Sequence, residues 1–169
     1  MAKYILVSKL DAARRQLTMA IKLFFNSQDV VVIHVLVANA HDLLRGLCKS
    51  QGVRAFIGDL DLELVKPEKR KEFLNMMRKD QNYFKHHNFR TDEVLKFHYG
   101  ATDFVIWDAC RLYSELTNEQ VPEFALFTAW FFYQNPDLFK LSTEQKLQRG
   151  GIGDAPHIVA NLAIRTARE

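Results

Sequence analysis

Cysteine, proline and glycine are scarce, with 2 Cys, 4 Pro and 7 Gly in 169 residues. So few cysteines rule out a disulfide scaffold, and Cys48 and Cys110 have no CxxC spacing. They read as buried free thiols of a reducing compartment. No charge of one sign dominates: the net charge is +3 and the pI about 8.9. That is too even for a dedicated nucleic-acid surface on composition alone. The apolar run after Lys3 stops at Val7, too short for a secretory signal. The apolar segment Phe124–Tyr133 is about half the length of a bilayer span. These absences lead us to expect a cytoplasmic protein with no membrane contact.

Present instead is bulk. Thirteen Phe, 5 Tyr and 2 Trp, with 48% hydrophobic residues, supply a core without metal or disulfide staples. The apolar period is helical. Leu10, Ala13, Leu17, Ile21 and Phe24 form a stripe over about residues 8–25. The polar turn Asn26-Ser27-Gln28-Asp29 follows, with Asp29 as N-cap of a second helix over 30–50. That helix opens on a β-branched run, VVVIHVLV, and then continues with helical spacing to Gly52.

Residues 53–66 read as an extended segment or an irregular loop. There Asp59, Asp61 and Glu63 alternate with leucines. Pro67 and Glu68 open a third helix that runs to Lys85 or His86. Val105, Ile106, Ala109, Leu112, Tyr113 and Leu116 mark a fourth over about 102–116. Pro122 opens a fifth, ending near Asn135-Pro136. Residues 141–153 read as a linker and about 156–166 as a last helix. The expected architecture is all-α, an up-and-down bundle over 1–140, with 141–169 adding a linker and a C-terminal helix to the same domain.

Four features invite chemistry. On the third helix, Phe73, Met77 and Phe84 share one side at 100° per residue. Asn75, Arg78, Asn82, Lys85 and His86 fall on the opposite side. An imidazole exchanges protons near neutral pH, and a guanidinium or ammonium stabilises a phosphoryl oxyanion. Arg78, Asn82, Lys85 and His86 are therefore the candidate catalytic residues, with RNA or a nucleotide as ligand. A solvated helix face with a basic last turn explains the same pattern.

On the second helix His34, Ala38, His41 and Arg45 follow at steps of four, three and four. With His86 and His87 they raise the question of a metal. No Glu-x-x-His pair occurs, and histidines seven apart on a helix lie about 10 Å apart. No metal and no cofactor are expected. The glycine-rich Arg149–Asp154 lacks the strand and the Lys-Ser/Thr pair of a phosphate loop and reads as a hinge. The aromatic helix PEFALFTAWFFYQNP is apolar on nearly all sides, which suits a core helix that also meets a second copy in a homodimer.

AARRQLTMAIKLFF followed by VVVIHVLVANAHDLLRGL resembles the opening hairpin of HEPN-type domains. MMRKDQNYFKHHN resembles the place where active HEPN ribonucleases carry Arg and His. Asn82-Tyr83-Phe84-Lys85-His86 is also similar to an Asn-x-Phe-Lys-His core of an uncharacterised bacterial helical family. The resemblance implies a helical bundle and, where active, metal-independent RNA cleavage. Seven residues separate Arg78 from His86, one more than the HEPN pattern permits. The reading that follows is a helical protein acting through binding and self-association, with a metal-independent endoribonuclease or RNA-binding protein as the alternative.

Overall fold

A computed structural model describes residues 3–57, 71, 75, 79–85 and 94–135. Among them every regular element is a helix. α1 is Lys9–Phe25 and α2 is Val30–Lys49. Residues 79–85 are helical and form α3. α4 is Ala101–Thr117 and α5 is Pro122–Gln134. The protein is all-α, as its period implies. The expected linker at 141–153, the helix at 156–166, and the expected boundary after residue 140 lie outside the described residues.

Local chemistry sets the helix ends. Ser8 caps α1, its Oγ accepting the Asp11 N–H at 3.0 Å. Asp29 caps α2, one carboxylate oxygen accepting the N–H of Val31 at 2.9 Å and of Val32 at 3.1 Å. That cap satisfies donors at the start of a helix whose opening valines would otherwise suit a strand. After α2 the chain turns through Gly52 at φ 73°, a conformation glycine adopts without steric cost. Asn118, at φ 53°, ends α4 and donates its N–H to Ser114 O. Pro122 opens α5 where its missing N–H costs nothing.

α2 is the central helix. It packs on α1 and α4, while α5 packs on α4 and α1. The short Asn26–Asp29 turn sends α2 back along α1. Ala13, Leu17, Ala20 and Ile21 of α1 meet Ile33, Val37, Ala40 and Leu44 of α2 in one core with Val105, Ile106, Ala109 and Leu112 of α4. Phe124, Phe127 and Phe131 of α5 complete it, all of them buried. Burying each such ring stabilises the fold by roughly 1.5–3 kcal/mol.

Aromatic contacts tie the ends together. Trp107 stacks on Phe131 at 5.3 Å, and Phe24 meets Trp130 edge-on at 4.7 Å. α5 is thus mainly a core helix, with Trp130 half-buried and Tyr133 exposed.

By length and composition α2 could cross a bilayer, with a mean hydropathy of 1.4. The bundle uses part of that apolar content, 39% of the span being buried: Ile33, Val37, Ala38, Ala40, Leu44 and Cys48 lie in the interior. Val30, Val31, Val32 and Val35 in its first two turns remain exposed.

Candidate functional site

Two histidines of α2 lie in the interior, where polar groups need partners. His34 is 2% exposed and His41 is 4% exposed. Of the stripe His34, Ala38, His41 and Arg45, the first three are buried and Arg45 is half-buried. The fold reconciles this by placing polar partners on α4.

His41 Nε2 donates to Asp108 Oδ2 at 2.9 Å. Asp108 is fully buried. Its Oδ2 also accepts the Ile57 N–H at 2.8 Å, and its Oδ1 accepts the Phe56 N–H at 3.1 Å. Arg111 adds Nε at 3.1 Å and Nη2 at 2.8 Å to Oδ1. The guanidinium also donates to Arg54 O and to Glu115, each at 2.7 Å. One carboxylate thus fastens α2, α4 and the turn at 53–57. Burial pushes its pKa up, but the His41 and Ile57 bonds and the Arg111 charge outweigh burial and hold it below the usual carboxylate value. Residues 53–57 are accordingly an irregular turn rather than a strand.

His34 is built differently. Its Nδ1 lies 2.9 Å from Thr102 Oγ1, and its Nε2 has no hydrogen-bond partner among the described residues. Phe97 and Phe84 lie against the ring with centroids at 4.9 and 5.9 Å. Burial lowers its pKa from the ordinary 6.5, against the opposing charge of Asp80, so the ring is neutral at neutral pH.

This ring lines a cleft of about 200 Å³ between α1, α2 and α3. Val35, Leu36, Ala38 and Phe84 give it apolar walls. Its rim is polar and internally paired. Asn39 Nδ2 donates to Gln16 Oε1 at 2.9 Å. Asp42 Oδ2 accepts from Gln81 Nε2, and from Lys85 Nζ at 3.0 Å. Burial alone would raise the Asp42 pKa; the Gln81 and Lys85 bonds and the Lys85 charge bring it down instead.

Of the residues singled out in sequence, Asn82 and Lys85 are exposed on α3, as a solvent-facing polar side requires. Asn75 is exposed as well. Lys85 is not a lone cation, since Asp42 holds it. Arg78, His86 and His87 lie outside the described residues, as do Asp59, Asp61, Glu63 and the Gly150 turn. Among the described residues no group of three or more His, Cys, Asp or Glu is gathered as a metal would require. Cys48 and Cys110 are buried thiols outside any disulfide, Cys48 donating to Leu112 O at 3.7 Å, and burial pushes the Cys110 thiol well up, which makes it a poor nucleophile.

Sequence reading missed Asp108 and Thr102. A signal for both was available. Asp108 stands three residues after Val105 and four before Leu112, on the apolar stripe of α4. Thr102 precedes Val105 by three on the same stripe. A polar residue on a core stripe marks a buried partner across the interface. Comparison with known proteins finds no match to this chain among family models, curated proteins or solved structures.

Proposed function

We propose that this chain acts by binding, with the cleft beside α3 as its site, and that it associates with a second copy. One observation carries the binding reading: the cleft has apolar walls and a rim whose polar groups are already paired with one another. Gln16 with Asn39, and Asp42 with Gln81 and Lys85, hold the opening in shape. A rim committed in this way positions a ligand, because its groups are not free to shuttle protons. A fragment screen by amide chemical shifts on labelled protein tests it. Shifts should cluster at Val35, Asn39, Gln81 and Phe84. A screen whose responses never cluster there contradicts the reading.

Self-association draws on the exposed valines at 30, 31, 32 and 35, an apolar strip on the first turns of α2. Sedimentation equilibrium should give a dimer that Val32→Lys weakens. A monomer at all concentrations removes this part.

A second reading is metal-independent RNA cleavage or RNA binding along α3, in a HEPN-like manner. What favours it is the exposure of Asn82 and Lys85 on the side that the helical period assigns to Arg78 and His86. Against it stands the Asp42–Lys85 pair, which weakens the field a phosphate would meet. RNA cleavage that persists in EDTA and is lost in His86→Ala but kept in His87→Ala would put this reading first.

A further inference from the structure

We infer that the cleft takes a small neutral molecule with an apolar body and one hydroxyl or N–H donor, and that this donor bonds to Nε2 of His34. The inference rests on the cleft being the binding site.

The starting point is an unpaired atom. A neutral imidazole has one N–H and one lone pair. His34 already uses Nδ1 on Thr102 Oγ1. With the proton on Nδ1 and donated to that hydroxyl, Nε2 presents a bare lone pair. The opposite tautomer would bury a bare N–H, the rarer and costlier orphan. The Thr102 contact thus makes Nε2 an acceptor, and an acceptor selects a donor.

The walls set the rest of the ligand. Val35, Leu36 and Phe84 offer no bond to a polar body. An anion would lose its hydration beside a neutral ring that already feels the negative charge of Asp80, and a cation would have to bring its charge past apolar walls. Volume limits size. About 200 Å³ is comparable to the apolar cavity of about 150 Å³ that takes up benzene in another protein, the room of a single ring or a short branched chain. Nε2 is itself covered, so a neighbouring side chain must yield for the donor to reach it; Phe97 and Phe84 are the rings packed against His34. Phe84 sits on α3, which forms one side of the cleft.

A matched pair of probes tests this: phenol, which has the donor, and fluorobenzene, of nearly the same size, which lacks it. Binding is read by amide shifts at the cleft and by the ¹⁵N shifts of the His34 ring. Phenol should bind about tenfold more tightly than fluorobenzene, since the bond is made away from water, and it should move the Nε2 resonance. Thr102→Val, which frees Nδ1 and lets the ring carry its proton on either nitrogen, should weaken the preference, and His34→Phe, which removes the acceptor, should abolish it. Thr102→Val retains the ring and its packing, so the test stands even if His34→Phe fails to fold. Equal binding of both probes at the cleft, with Nε2 unmoved, overturns the donor assignment and leaves the binding reading intact. No response at any cleft amide from either probe overturns the site itself.

Discussion

His34 and His41 lie on the same side of the same helix, two turns apart, and both are buried. Each reaches across to α4. There the likeness ends. His41 meets a carboxylate that is also held by Arg111 and by two backbone N–H groups. His34 meets a single hydroxyl and keeps one nitrogen unpaired. The first arrangement is a joint between three parts of the fold. The second is unfinished as a structural device, and it lines a cleft. A buried polar group with its bonds made contributes to stability, whereas one with a bond left open is where a ligand or a water can complete the set.

The comparison breaks most visibly at Asp108. Asp108→Ala leaves His41, Arg111 and the Phe56 and Ile57 amides without their acceptor. It should cost about 3–5 kcal/mol in urea unfolding. A loss below about 1 kcal/mol would mean that the turn at 53–57 is held by its apolar contacts alone.

The paired substitutions sharpen the contrast. His41→Phe strips one donor from a buried carboxylate and should cost about 1–3 kcal/mol. His34→Phe removes an orphaned nitrogen and sets an apolar ring between Phe84 and Phe97, but it also takes the Nδ1 partner from the buried Thr102 hydroxyl, so its cost should be about 1 kcal/mol, below that of His41→Phe. Equal costs would erase the distinction between the two sites.

Two aspartates of α4 give opposite pH behaviour. Burial raises Asp103 to about 6, while bonds and charges hold Asp108 low. The folded state therefore takes up a proton on Asp103 that the unfolded chain, at 3.8, does not. Its effect on stability is favourable below about 4, fades as pH rises through 6, and stays lost above it. Asp103→Asn should remove that decline and raise stability at pH 8 by about 1 kcal/mol, discounted for its partial exposure. Asp108 works in the other direction: its contribution is present above the ordinary carboxylate value and is lost as pH falls. An Asp103→Asn variant with an unchanged pH profile would contradict the assignment.

The smallest effect belongs to α3. Asn82→Ala, at an exposed position with no role in the joint, should change stability by less than about 0.5 kcal/mol. A larger loss would place Asn82 in the packing rather than on a solvent face.

Much of the fold was legible in sequence because its signals are local. Ser8, Asp29, Gly52 and Pro122 act within a few residues of the helix ends they set, and the observed bounds follow them. The turn at 53–57 stayed ambiguous because Asp108 fixes it from more than 50 residues away. The roles of the histidines were hidden for the same reason. Their partners stand 68 and 67 residues along the chain, so helical spacing placed both on one face without showing what that face meets. Spacing did find Asn82 and Lys85 on one exposed side, but not the Asp42 partner of Lys85, which α2 supplies from 43 residues earlier.

The central claim is that His34 is neutral, protonated on Nδ1 toward Thr102, and open at Nε2. Long-range ¹H–¹⁵N spectra of the histidine rings between pH 8 and 5 test it most directly. Burial lowers the His34 pKa, so the ring should remain neutral as pH passes down through 6.5. Its stabilising effect should be present above that value and lost only at lower pH, and Nε2 should resonate as an unprotonated nitrogen without a hydrogen bond. A ring that takes up a second proton at or above 6.5, or one that carries its proton on Nε2, would contradict the account.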